Sequence, residues 1–226
     1  MTSNFRVILA VAYLVFASLA CQAVTGASGD EKTTPSVPAL PVIFSDDFTS
    51  TQWGTGTDKD SSVEYVNNTL QMVVYTTNYF VWSIPNDQVY ENVHMEVTVL
   101  NNGTDSTTAF GFMCAMQSKD NDFYYLAMTP AGEYAIAKAV EGARDVFLTN
   151  NDQWASSERI ERDASSYRFG ADCGNGRLAL YVDGQQIASV SDETYTKGGI
   201  GLFTWSGEEA TATDVSFDDF VMSEIQ

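Results

Sequence analysis

The sequence predicts an all-β domain, a sandwich or a barrel, on three observations. Short runs rich in Val, Ile, Thr, Tyr, Phe and Trp recur roughly every ten residues from residue 42 onward. Turn residues separate them, among them Asn67-Asn68, Asn102-Gly103, Ala131-Gly132 and Asp183-Gly184. The one stretch with helical character, residues 153–162, lacks a sustained apolar stripe and reads as a long loop or a single turn.

In chain order the runs are residues 63–66, 69–75, 79–84, 93–100, 107–117, 122–128 and 133–140. Residues 145–148, 166–173, 177–182, 186–190, 199–205 and 214–222 complete the series. Asp183-Gly184 between two alternating runs is the strongest local feature, because both positions of a type I′ hairpin turn need positive φ. Gly174-Asn175-Gly176 supplies a three-residue loop just upstream, so residues 167–190 should form a three-stranded meander. With no fixed-period repeat and no second linker, residues 42–226 are expected to be one domain of about twelve to fourteen strands in two sheets.

Charge and composition exclude several functions. The chain carries 11 Lys+Arg against 30 Asp+Glu, a formal charge of −19, so it repels phosphate backbones and bare anionic membranes. At 44% hydrophobic and 12% aromatic it is nevertheless too apolar for a disordered acidic tail. His94 is the only histidine, which excludes a multi-histidine zinc site, and no phosphate-binding or dinucleotide-binding glycine loop occurs.

The N-terminus reads as a targeting segment. Residues 7–20 are an uncharged apolar run after Arg6, shorter than the about 20 residues a spanning helix needs. Residues 1–20 are therefore expected to be a signal peptide. Ser18-Leu19-Ala20-Cys21 resembles the lipobox of bacterial lipoproteins, with Leu19 displaced by one place, and makes Cys21 the expected lipidated residue; ordinary cleavage after Ala20, leaving a freely secreted protein, is the alternative. Residues 21–41, rich in Ser, Thr, Pro, Gly and Ala, then form a flexible tether. With Cys21 as the anchor, Cys114 and Cys173 remain as an even pair. Cys114 shares a parity with Phe110, Phe112 and Met116, and Cys173 shares one with Tyr167, Phe169 and Ala171. Both point into the core, and a bridge between them would stabilise by about 4 kcal/mol on a chain-entropy argument. Sequons at Asn67 and Asn102 matter only in a host that glycosylates them.

Several motifs in order carry a family resemblance: Phe44-Ser45-Asp46-Asp47-Phe48 followed by Trp53, then Phe123-Tyr124-Tyr125, then Leu178-Ala179-Leu180-Tyr181-Val182-Asp183-Gly184. Gly198-Gly199-Ile200-Gly201-Leu202 and Phe217-Asp218-Asp219-Phe220 close the series. This order resembles the concanavalin A-like lectin/glucanase superfamily, especially its laminin-G and 3-keto-disaccharide hydrolase kinds, over residues 42–226. The resemblance implies a jelly roll of two antiparallel sheets and a saccharide-related role. It also implies that the first and last strands lie side by side, bringing Asp46 and Asp47 near Asp218 and Asp219, where some relatives hold a structural Ca²⁺.

Glycoside hydrolysis needs two carboxylates flanking the bond. The superfamily's glucanases carry them as Glu-x-Asp-x-x-Glu, a pattern that does not occur here. The nearest spacings, Glu161-Arg162-Asp163 and Asp120-Asn121-Asp122, read as solvated loop charges, and Glu96 as a solvent-facing strand residue. Rings that can stack on sugars are better represented: Trp82, Tyr125, Trp154 and Trp205 are the candidates for an exposed platform. The expected protein is extracytoplasmic, lipid-anchored to a bacterial envelope, and binds saccharide without catalysis. An envelope domain that binds a protein partner is the alternative from another class, and a glycoside hydrolase-type enzyme is a second.

Overall fold

The structure, a computed structural model, describes residues 40–117, 122–208 and 213–225. The expected signal peptide, Cys21 and residues 21–39 of the expected tether lie outside the described residues.

The first five strands are β1 (Val42–Asp46), β2 (Gly56–Thr57), β3 (Ser61–Val66), β4 (Thr69–Val74) and β5 (Phe80–Ser83). Next come β6 (Val93–Asn101), β7 (Ala109–Met116), β8 (Phe123–Met128), β9 (Glu133–Ala139), β10 (Val146–Phe147) and β11 (Ala155–Ser156). The last five are β12 (Ser166–Gly174), β13 (Arg177–Val182), β14 (Gln185–Ser191), β15 (Gly199–Trp205) and β16 (Thr213–Glu224). Each of the predicted runs contains a strand. The 16 strands among the described residues exceed the expected twelve to fourteen because β1, β2 and β11 join as short pieces. A two-residue strand is too short to show a period, which is why β11 was hidden in the loop expected over residues 153–162.

All pairs are antiparallel and fall into two sheets. One has nine strands in the order β14-β13-β12-β6-β16-β4-β3-β2, with β1 also on β16; the other has seven, in the order β10-β9-β8-β7-β15-β5, with β11 on β9. The expected meander is β12-β13-β14. Its second turn has Asp183 and Gly184 at φ 50° and 70°, as a primed hairpin turn requires. The first turn is tighter than predicted. Gly174 belongs to β12, and only Asn175 and Gly176, at φ 53° and 68°, make the turn.

The core lies between the sheets. β6 turns Val93, Met95, Val97 and Val99 inward, and β12 adds Tyr167, Phe169, Ala171 and Cys173. β7, β8 and β15 answer with Phe110, Phe112, Cys114, Tyr124, Leu126, Met128 and Leu202. Phe112 stacks on Phe169 across the gap, with ring centroids 5.3 Å apart and planes 8° from parallel. Beside that stack Cys114 and Cys173 form a disulfide that ties β7 to β12 and hence one sheet to the other. At the open end Phe44, Phe48 and Phe220 surround Trp53, with Trp53–Phe220 centroids 5.2 Å apart. The two Phe-flanked Asp motifs thus supply rings that close the sandwich where β1 meets β16.

The sheets differ on their outer faces. In the nine-stranded sheet burial alternates along β6, and the outward residues form a polar lattice. His94 Nδ1 lies 2.7 Å from Asp172 Oδ1, Tyr181 donates to Asp172 Oδ2 at 2.6 Å, and Arg168 donates to Glu96 at 3.0 Å. Burial opposes charging His94, but the Asp172 and Glu96 carboxylates outweigh it and hold the imidazolium above the ordinary His range. Tyr181, partly buried beside the charge of Asp172, is pushed up to about 12. In the seven-stranded sheet, by contrast, β7, β8 and β15 are buried at nearly every position on both faces.

The bridge and the lattice each make a measurable contribution to stability. Reducing the Cys114–Cys173 bridge should lower unfolding free energy by about 2–4 kcal/mol, read as a shift in urea midpoint with and without reductant; equal midpoints would show that the bridge contributes nothing. His94 stabilises the fold while charged, so its contribution is complete below its unfolded value of ~6.5 and is lost as pH rises through its higher folded value. The melting temperature should therefore step down over that range, in a setting of Glu96, Asp172, Tyr181, Arg168 and Arg177, and the step should be absent in His94→Gln.

Candidate functional site

The double burial of the seven-stranded sheet locates the site. Tyr124, Leu126 and Met128 of β8 face the core, while Phe123, Tyr125 and Ala127 face outward into a second apolar cluster. That cluster continues through Met113, Ala137, Ala139 and Phe203, with Phe80, Phe147, Trp154 and Trp205 packed on it. A strand buried on both faces reads as a continuous apolar run, and AFGFMCAM and FYYLAM are such runs. That feature could have revealed the second face from sequence.

A break in parity extends this face. β7 and β15 pair Met113 with Gly201 and Met116 with Gly199, so one strand carries an extra residue there. Ala115 takes φ 49° at this bulge. Met116, expected on the core face with Cys114, is consequently turned to the outer cluster.

The outer face opens as a cleft of about 480 Å³, a size suited to a small ligand or a short stretch of polymer. Its floor is made of alanines and rings: Ala109, Ala127, Ala139, Tyr125 and Phe203. Alanine is the physical reason for the depth, because short side chains leave room between the larger rings around them. Phe147, Trp154, Phe80 and Trp205 wall it, and the loop between β9 and β10 adds Glu141 and Asp145 at the rim. The rings form a continuous series. Phe80 stacks on Phe203 at 4.6 Å, Phe203 meets Tyr125 edge-on at 5.9 Å, and Phe147 links Tyr125 at 6.4 Å to Trp154 at 6.0 Å.

Of the four ring candidates, Tyr125, Trp154 and Trp205 line this one cleft. They come from β8, from the segment before β11, and from the end of β15. Trp82 does not line it. Trp82 is 49% exposed, 6.1 Å from Phe80, and borders a separate depression with Gly54, Gly56 and Asp58. Tyr125 is only 8% exposed, and its hydroxyl donates to Asp145 Oδ2 at 3.0 Å. Burial, reinforced by the Asp145 charge, pushes its pKa far above the ordinary tyrosine value, so it stays a neutral donor. Phe80, Phe123, Phe147, Phe203, Glu141 and Asp145 line the same cleft and were not singled out as site residues in the sequence.

Of the four aspartates proposed for calcium, Asp46, Asp47 and Asp218 accept local hydrogen bonds and Asp219 takes part through its backbone. β1 does lie beside β16, with Asp46 opposite Phe220, as the resemblance implied. Asp46 is buried, and its Oδ1 accepts the Phe48 N–H at 2.8 Å, capping the turn after β1. Asp47 accepts from the Thr49 backbone and hydroxyl, which lowers its pKa. Asp218 accepts the N–H of Asp219, and Asp219, at φ 49°, forms the bulge at which β16 shifts register on β6. Among the described residues no group of three or more His, Cys, Asp or Glu side chains is placed to hold a metal ion. Ca²⁺ takes six to eight oxygen ligands, so a calcium site here would have to draw on main-chain or water oxygens besides these carboxylates. Glu161 and Asp163 are solvent-exposed, Asp120 lies outside the described residues, and Asp122 accepts the Glu141 N–H at 2.7 Å. Glu96 is engaged by Arg168 on the opposite sheet, remote from the cleft.

No family model matches this sequence, and no curated protein matches it. Solved structures do match by shape. A carbohydrate binding module from Bacillus subtilis superposes with a TM-score of 0.60 at 13% identity, covering 78% of this chain and 98% of that one. A Bacillus subtilis protein of unknown function with a galectin-like fold gives 0.61 at 12%, covering 81% and 96%. The catalytic domain of an endo-1,3-β-glucanase from Thermotoga petrophila gives 0.57 at 12%, covering 84% and 100%. The fold is therefore the concanavalin A-like jelly roll. With the aspartates committed to turns and a bulge, the melting temperature should be the same in excess chelator and in excess CaCl₂; a rise with calcium would show a site these contacts do not provide.

Proposed function

We propose that this protein is an extracytoplasmic, lipid-anchored and non-catalytic carbohydrate-binding protein, and that saccharide occupies the ring-lined cleft of the seven-stranded sheet. One observation carries the reading: Tyr125, Trp154 and Trp205, distant in sequence, line the same cleft of about 480 Å³. Pyranose rings present C–H faces that pack on aromatic faces, while their hydroxyls need donors and acceptors at the edges. Asp145, Glu141 and Asn78 supply those edges here. The similarity to a carbohydrate binding module supports the same reading at the level of fold.

The distribution of acids supports binding over hydrolysis. A glycosidase flanks the scissile bond with two carboxylates. Here the floor strands present alanines and rings, and both lining acids come from one loop, between β9 and β10. The disulfide is in keeping with an oxidising compartment, and Cys21 in its lipobox-like setting would tether the domain to the envelope.

Binding should be visible by intrinsic fluorescence, because Trp154 and Trp205 both border the cleft. Titration with the glycan that scores highest on an array should shift their emission. Trp154→Ala should weaken that affinity about three- to tenfold, the range for loss of one aromatic contact. An array with no bound glycan, and emission unmoved by any polysaccharide, would end the saccharide reading. Release of reducing sugar from a bound polysaccharide would end the non-catalytic one.

A further inference from the structure

The charge of the cleft narrows the ligand, on the assumption that the cleft binds saccharide. We infer that it selects sugars carrying a protonated amine, such as stretches of unacetylated amino sugar, and rejects those carrying carboxylate, sulfate or phosphate.

The inference stands on the arrangement of charges and rings. Glu141 and Asp145 are the ionisable acids of the lining, and among the described lining residues there is no Lys or Arg. The basic side chain nearest in sequence, Arg144, is mostly exposed and pairs with Asp152 instead. Asp152 is further engaged by the Phe147 N–H at 3.0 Å, so that pair belongs to the loop's own structure. Lys138 of β9 points to the opposite side of its strand, where it bonds Asp192 at 2.9 Å and Thr194 at 2.8 Å. The cleft's own carboxylates therefore have no cation of the described lining beside them.

The rings act in the same direction. Aromatic faces carry negative quadrupole potential and attract ammonium groups, most strongly where water is excluded. An amine seated between the rim acids and the faces of Trp154, Phe147 or Tyr125 would meet favourable potential from both sides. Asp145 retains acceptor capacity for it, since Tyr125 hydrogen-bonds only its Oδ2 oxygen. An anionic sugar would meet two carboxylates, electron-rich ring faces and the field of a chain with formal charge −19. A neutral sugar would gain the stacking alone.

Calorimetry on the purified protein with three β-1,4-linked oligomers of equal length tests this: glucosamine at a pH where its amine is protonated, N-acetylglucosamine, and glucuronic acid. Acetylation removes the charge and keeps the backbone. The glucosamine oligomer should bind roughly five- to tenfold more tightly than the acetylated one, as one cation–π and ion-pair contact would give, and the glucuronic oligomer should not bind measurably. The preference should shrink as salt rises. In Glu141→Gln and in Asp145→Asn the ratio of glucosamine to N-acetylglucosamine affinity should fall towards one; Glu141 is exposed, and Asn can still accept the Tyr125 hydroxyl, so both variants should fold. Equal or tighter binding of the acetylated or acidic oligomer would overturn the amine preference and leave the saccharide reading intact. The amine preference is likewise overturned if none of the three binds while a neutral glycan of another linkage does. Failure of every glycan would overturn both.

Discussion

A sheet that is apolar on both faces must be covered on both, and this constraint organises the molecule. β7, β8 and β15 bury one face against the nine-stranded sheet and the other beneath a layer of rings and the loop after β9. Two sheets alone can satisfy only the first face. The second is closed incompletely, because the covering layer is a loop and not a third sheet, and because Ala109, Ala127 and Ala139 are too short to fill the space beneath it. The cleft is what remains. Its position on the seven-stranded sheet thus follows from which sheet received the continuous apolar runs.

The opposite sheet supplies rigidity. Burial alternates along β4 and β6, so the outer face there is partly solvated and carries the His94, Glu96, Arg168, Asp172 and Tyr181 lattice with its polar groups paired. The disulfide and the Phe112–Phe169 stack fix that sheet against the back of the cleft floor. Closure of β1 on β16 ties the ends of the described domain together through Trp53 and its surrounding phenylalanines. A cleft on such a frame is largely preformed, and preformation lowers the ordering cost for any stiff ligand.

Legibility in the sequence tracked the range of the interactions. The Asp183-Gly184 turn and the β12-β13-β14 meander depend on neighbours in the chain, and both could be read directly. The partnership of Cys114 and Cys173 was legible because parity placed each on an apolar face. Met116 escaped the same reasoning, since a single bulge at Ala115 reverses parity and leaves no mark in composition. The Asp46-Asp47 and Asp218-Asp219 pairs were read as clustered charge, whereas in the fold they cap a turn and form a bulge. Adjacency of strands was foreseeable for them, but the local hydrogen bonds that Asp46, Asp47 and Asp218 accept were not.

By itself the sequence determined an all-β chain, its strand order along the chain, its tightest turns and the inward faces of its central strands, because backbone alternation and turn stereochemistry are local. Three of the four ring candidates, Tyr125, Trp154 and Trp205, were also nameable from residue type and local setting. Only the tertiary structure decided that these three share one cleft while Trp82 stands outside it. Only it showed that Phe80, Phe123, Phe147 and Phe203 join them, and that Glu141 and Asp145 give the rim its charge. The reason is physical. A ring buried in the core and a ring bordering a cleft satisfy the same alternation, and what separates them is whether another layer packs above, which long-range pairing of strands and the path of one loop decide.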